Sequence, residues 1–377
     1  MRRLRGLVPL VLGASLASAC GSSSPGSASS GTCGPSDALW VASDYSSSAV
    51  GALALSGEVS STVGRVDLGA DPALSVSAGR AFFVARDMDT IFELDPTCGT
   101  PTQQFNVHQA SHSGTSDPYD VAVASDGSLW VVLFLVPEVV ILSPSGQQVG
   151  AIDLSSYDSD GNPDAEAIRI VDTPAGEKAF VALDRLNPYP TSVQPSWMLR
   201  IDVATATVEA SVVLAGRNPF GPMQDEGGIL WLAEPGNFDD ATETDAGVER
   251  FDTSTSTSAL VVREPELGGS VASVSVSGAC AAAIVADATP NVNATSLAMF
   301  EPDTGQVLAA ASASPLATSG FDLEGLAWSS GGALLVGDRR RVSPGYPVHV
   351  FDGACAPVER ADSVFLPLPP IALSAAP

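Results

Sequence analysis

The side chains able to do chemistry in this 377-residue chain are mostly carboxylates: 43 acids against 17 bases, a formal charge of −26. The densest run is Asp158-Ser-Asp160-Gly-Asn162-Pro-Asp164-Ala-Glu166, where oxygen donors alternate as a hard cation such as Ca²⁺ requires. It is no EF-hand, because glycine comes at the fourth place and Arg169 at the twelfth. A solvated turn rich in Asp, Gly and Pro is the competing reading. Other acids recur singly. Asp44, Asp87, Asp184, Glu234, Asp287 and Asp338 each follow a short apolar run, and Asp71, Asp117 and Glu324 stand at or near the start of another. Gathered on one face they would form an acidic funnel for Ca²⁺, a small cationic ligand or a basic protein. Asp as a plain turn-former at strand ends is the alternative. Arg339-Arg340-Arg341 breaks the acidic trend, either pairing with nearby carboxylates or taking an anion.

Signals for catalysis are sparse. His108 and His112 lie four apart, a metal spacing on a helix, but Gly114 and the flanking serines make the segment a loop, and His349 lies far away. There is no G-x-G, H-E-x-x-H, C-x-x-C, G-x-S-x-G or G-K-[ST], so no catalytic residue is assigned. Lys178 is the single lysine. The charge balance excludes nucleic acid, whose phosphates need a basic footprint, and electrostatic docking onto anionic lipid.

These residues need a scaffold, and it is repetitive. Beyond residue 36 the chain alternates short apolar, β-branched or aromatic runs with Gly, Pro, Asp and Ser. One run recurs as ALWVASD, AFFVARD, SLWVVLF, AFVALD, ILWLAE, AAIVAD and ALLVGD, with anchors at Val41, Val84, Val131, Val181, Leu232, Val285 and Val336. The intervals average about 49 residues, and an independent hairpin-turn landmark keeps the same period. Seven units of four short strands predict an all-β, seven-bladed β-propeller over 37–377, each sheet covering its apolar faces with its neighbours. The chain starts on the second strand of a unit and ends in PPIALSA, so the C-terminal strand is expected to complete the first blade. The segment NPFGPMQDEGG fits worst, too short and glycine-rich for a clear innermost strand.

The stretch DPYDVAVASDGSLWV at 117–131 resembles the NHL/YVTN class of propellers, and 157–186 resembles propellers of bacterial surface lipoproteins. The likeness implies a fold, not an activity. With no catalytic motif and its acids gathered on one face, a non-enzymatic propeller that binds a partner or ligand through that acidic face is the leading expectation. A Ca²⁺-dependent hydrolase or lactonase is the alternative, similar to gluconolactonase-type propellers in architecture but without their metal motif. A quinone-cofactor dehydrogenase would need a tryptophan-rich blade motif that is absent.

The N-terminus carries an address. Arg2, Arg3 and Arg5 precede an apolar run from Leu7 to Leu16, too short to span a bilayer, so 1–19 reads as a signal peptide. Ala17-Ser18-Ala19-Cys20 resembles the lipobox of bacterial lipoproteins, which implies lipidation of Cys20, and Gly21 after it implies the outer membrane, on its periplasmic or surface side. The lipid would be the only membrane contact. Residues 20–36 form a Gly/Ser-rich tether, and a monomer is expected. Four further cysteines in an oxidising compartment allow three pairings. The repeat register selects Cys33–Cys98 and Cys280–Cys355, each joining the start of one blade's second strand to the hairpin turn of the next. Cys20→Ala should leave the propeller folded but move it from the membrane to the soluble fraction. Mature protein still sedimenting wholly with membranes would refute lipidation.

Overall fold

The computed structural model describes residues 36–57, 59–61, 66–238, 240–287 and 294–377. The signal peptide, most of the tether, Cys20 and Cys33 lie outside the described residues. Seven antiparallel sheets follow one another around an axis. Each begins with an innermost strand and runs outward, as in the third blade: Pro118–Val123, Leu129–Leu133, Glu138–Leu142 and Gln148–Asp153. Closure is as the sequence implies. The last strand, Pro370–Ala375, pairs antiparallel with Ala38–Ser43 and supplies the innermost strand of the first blade. In the seventh blade a short additional strand, Val364–Leu366, pairs with the third strand, Tyr346–Asp352, which also pairs with the outermost strand, Val358–Glu359. The segment expected to lack a clear innermost strand does form one, Phe220–Glu226. Its pairing with Ile229–Glu234 shifts register between Phe220 and Gln224, which lets a glycine-rich stretch stay in the sheet.

The core follows from strand alternation. In the third blade Val131 packs toward the second blade, while Trp130 and Val132 pack toward the fourth. The buried apolar residues accordingly form seven clusters, one at each blade interface, rather than one central core. Every second strand is buried on both faces and therefore reads as a nearly continuous apolar run. Cys280, opening the sixth blade's second strand, is disulfide-bonded to Cys355 in the seventh blade's hairpin turn, with Cα atoms 5.2 Å apart. Cys98 is also disulfide-bonded.

Each innermost strand has one edge facing the axis with no strand beside it, and its N–H groups must find other acceptors. Side chains from the preceding blade supply them. The Val123 N–H donates to Ser77 Oγ at 3.0 Å, Ile168 to Asp120 Oδ2 at 3.0 Å, Gly221 to Glu166 Oε1 at 2.8 Å, Val276 to Gln224 Oε1 at 2.8 Å and Leu323 to Thr295 Oγ1 at 2.8 Å. Asp120 is the most heavily used. Its carboxylate also accepts Ser75 Oγ at 2.6 Å and Arg169 Nη1 at 2.6 Å, joining three blades. Asp120→Ala should cost roughly 3–5 kcal/mol, because Arg169 loses its buried partner and Ile168 its acceptor. Denaturant unfolding measures this, and a loss below about 1 kcal/mol would show that the lacing is not stabilising.

Candidate functional site

The loops between second and third strands, and those leading into each innermost strand, share one face of the ring. Near that face the innermost strand shifts register in six of the seven blades, the second being regular. A bulge re-aims the side chain it carries. Tyr119, Glu166 and Glu324 all fall within these irregularities.

Around the mouth, arginines meet carboxylates and tyrosines. Arg86 follows the second blade's second strand, bonds Asp117 Oδ1 through Nε at 3.1 Å and lies 3.6 Å from Asp71. Its guanidinium stacks 3.7 Å over the Tyr119 ring, a cation–π contact that also covers the phenol. Tyr119 in turn stacks on Phe134 with centroids 4.9 Å apart, and Phe134 meets Tyr189 edge-on at 6.4 Å. On the other side Arg339 bonds Glu324, lies 4.9 Å over the Tyr45 ring and donates to its hydroxyl at 3.1 Å. Arg340 grips Asp338, which also meets His349 Nε2 at 3.2 Å. Burial works against ionisation of Asp338, yet the bonds from His349 and Arg340 bring it to about 2.

The expected acidic funnel divides into three environments. Asp44 is exposed and caps its own loop, where bonds from Ser46 and Ser47 hold it near 2. Asp87 accepts the Ala70 N–H at 3.0 Å, Asp287 donates its N–H to the Ala294 carbonyl at 2.8 Å, and Glu324 and Asp338 are paired with arginine. Asp184 and Glu234 are not surface acids: their exposures are 2% and 0%. Asp184 Oδ1 and both Glu234 oxygens lack a hydrogen-bond partner among the described residues. Burial first, then the charges of Glu166, Asp164 and Glu234, raises Asp184; burial, then Glu249, raises Glu234. Burial also pushes Glu166 to about 8 and Asp164 and Glu249 to about 7, against the bonds they accept from Gly221, from Leu186, and from Ser258 and Gly216 respectively.

The 158–166 loop is built mainly on internal bonds. Asp158 Oδ1 accepts the Ser159 N–H, Asp160 accepts the Asn162 N–H at 3.0 Å, and the Asn162 amide bonds Asp164 and the Phe134 carbonyl. Asp164 Oδ2 takes the Leu186 N–H at 2.9 Å, and Glu166 turns to Gly221 in the next blade. Among the described residues no group of three or more His, Cys, Asp or Glu side chains is disposed to hold a metal ion. His108 bonds Asp89 at 2.7 Å, and Asp89 organises the turn through Thr115 and Ser116. Sequence reasoning missed Arg86, Tyr119 and Arg217, which bonds Glu243 and Asp245, each at 2.8 Å, beside the fifth blade's second strand. Tyr119 stood in view inside the 117–131 motif, but nothing in the sequence marks the bulge between Pro118 and Asp120 that carries it.

No protein-family profile and no curated protein matches this chain. Solved structures do match, as folds. Hydrazine synthase of Kuenenia stuttgartiensis aligns with TM-score 0.56 at 15% identity, covering 81% of this chain and 89% of its own. The dihydro-heme d1 dehydrogenase NirN aligns at 0.54 and 15%, covering 90% and 75%. Virginiamycin B lyase from Staphylococcus aureus aligns at 0.50 and 11%, covering 77% and 83%. The chain is a β-propeller.

The buried acids give stability a definite pH dependence. Unfolded carboxyls release their protons near pH 4, whereas Asp164 and Glu249 hold theirs to about 7, and Glu166 and Glu264 to about 8. Between those values the folded state binds more protons, so stability should fall from about pH 5 to 8, by about 1.4 kcal/mol per pH unit for each proton involved. Denaturant midpoints at pH 5, 6.5 and 8 should decrease in that order, and Glu234→Gln should flatten the trend. A midpoint that rises across this window would contradict the burial of these carboxyls.

Proposed function

We propose that this protein is a lipid-anchored envelope propeller that binds a partner protein or ligand through its loop-rich mouth face, without catalysing a reaction. One observation carries the reading. All five exposed aromatic side chains among the described residues, Tyr45, Tyr189, Phe220, Phe238 and Phe321, belong to that face, together with Met88, Leu135, Val193 and Val342. Aromatic residues clustered on one face are a feature of recognition surfaces.

The platform is held rigid. Phe220 and Phe238 meet edge-on at 5.0 Å on the fifth blade. The loops of blades four and five are tied by the Ser192 N–H on Asn237 Oδ1 at 3.0 Å, and by Arg217, which bonds the Ser192 carbonyl, Glu243 and Asp245. Preorganised contacts of this kind reduce the ordering cost of association. Removing Arg2, Arg3 and Arg5 with the signal peptide takes the charge to 14 − 43 = −29, so a basic or amphipathic partner fits better than an acidic one. The lipid anchor rests on the Cys20 motif. Binding fits the mouth better than chemistry, since its arginines are already paired with its acids and no activated nucleophile stands among them.

A photo-crosslinking residue at Tyr189 or Phe238 should give a discrete adduct in intact cells, while one at Val149 or Val213 on the outer strands should not. Phe220→Ser with Phe238→Ser should reduce the Tyr189 adduct at least tenfold while the melting temperature stays within a few degrees. Adducts of equal yield from both surfaces would remove the basis for a recognition face.

A further inference from the structure

At the opposite end of the axis lies a separate cavity of about 490 Å³, within the range of small-molecule sites. It is lined by the far ends of the innermost strands, among them Ser77, Ile170, Gln224, Val274 and Trp328, and by one basic residue, Arg169. Arg169 is mostly buried, its side chain 11% exposed. Nη1 is engaged by Asp120 Oδ2 at 2.6 Å and by the Ile168 carbonyl at 2.6 Å. The other edge of the guanidinium, Nε and Nη2, has no protein partner among the described residues. That edge is a planar pair of donors whose geometry matches a carboxylate.

The surroundings are fixed in place before any ligand arrives. Asp120 is held by Ser75, Val121 and Ile168 as well as Arg169, so the guanidinium cannot swing without breaking an inter-blade tie. Elsewhere in the lining, Gln224 is pinned through its amide oxygen and nitrogen to the Val276 backbone, and the Trp328 indole N–H is given to the Ser275 carbonyl. With its N–H taken, Trp328 has only its apolar ring left, and Ile170 and Val274 add apolar surface to the same lining. Asp225 and Glu226 at the rim disfavour multiply charged anions.

We infer that this cavity binds a small monocarboxylate with an apolar body, its carboxylate on the Nε–Nη2 edge of Arg169. The site is independent of the mouth face, so either proposal can fail without the other.

Isothermal titration of the purified full-length chain with benzoate, hexanoate, benzylamine and inorganic phosphate tests it. Benzoate or hexanoate should bind saturably, and benzylamine and phosphate should not. Arg169→Lys keeps a cation beside Asp120 but lacks the flat donor edge, and should weaken carboxylate binding at least tenfold. Ser277→Trp, which fills the cavity from the sixth blade and leaves Arg169 untouched, should abolish binding; its ligand-free melting temperature guards against misfolding. Absence of saturable carboxylate binding, equal binding of benzylamine, phosphate binding in place of the carboxylates, or affinity unchanged in either variant would each overturn the proposal.

Discussion

The free edge of the innermost strand is the constraint from which the rest of this structure follows. A closed ring of sheets leaves seven such edges facing the axis, with backbone donors that must be satisfied in a confined space. At five of the seven junctions a side chain of one blade accepts an N–H of the next, from Ser77, Asp120, Glu166, Gln224 and Thr295. These contacts tie together units whose apolar layers could otherwise slide, since dispersion and burial are not directional. They also explain why polar and acidic residues stand so close to the axis.

Using carboxyls as acceptors sets the electrostatics of the ring. Asp120 has Arg169 as a buried counterion. Glu166 does the same work one blade on with no base bonded to it, and burial pushes its carboxyl to about 8. Asp184 and Glu234 are buried as well; the charges of Glu166, Asp164 and Glu234 raise Asp184 further, and that of Glu249 raises Glu234. The acids around the mouth are therefore of two kinds. Those paired with Arg86, Arg339 and Arg340 present a balanced, rigid surface. Those sealed beneath blades four and five store the cost of burial, and the fold carries it because the flanking layers are well packed.

Closure joins the chain's ends, and the covalent bridge reinforces a neighbouring junction. Pro370–Ala375 completes the first blade, so the ring has no free innermost position left. The Cys280–Cys355 bridge ties the sixth blade to the seventh across a separation of 75 residues, which in the loop-entropy model stabilises by about 4 kcal/mol. The bridge fits an extracytoplasmic protein, since such bonds persist in oxidising compartments.

What the sequence determined by itself was everything carried by periodicity. The seven apolar second strands, their spacing near 49 residues, ring closure by PPIALSA and the Cys280–Cys355 pairing were legible because each is a property of register, and register repeats. Phe220–Glu226 was hard to read because a bulge breaks the alternation on which strand recognition depends. The site depended on tertiary structure throughout. Asp44 and Asp184 occupy equivalent places in the repeat, yet one is exposed and held near 2 while the other is buried and raised, a difference set by the surroundings of each blade and not by the repeat. Arg86 reaches Tyr119 across a blade boundary, and the five exposed aromatics come from four different blades. Such meetings are set by loop paths and bulges, which leave no period in the sequence, so the scaffold could be read in advance and the surface it carries could not.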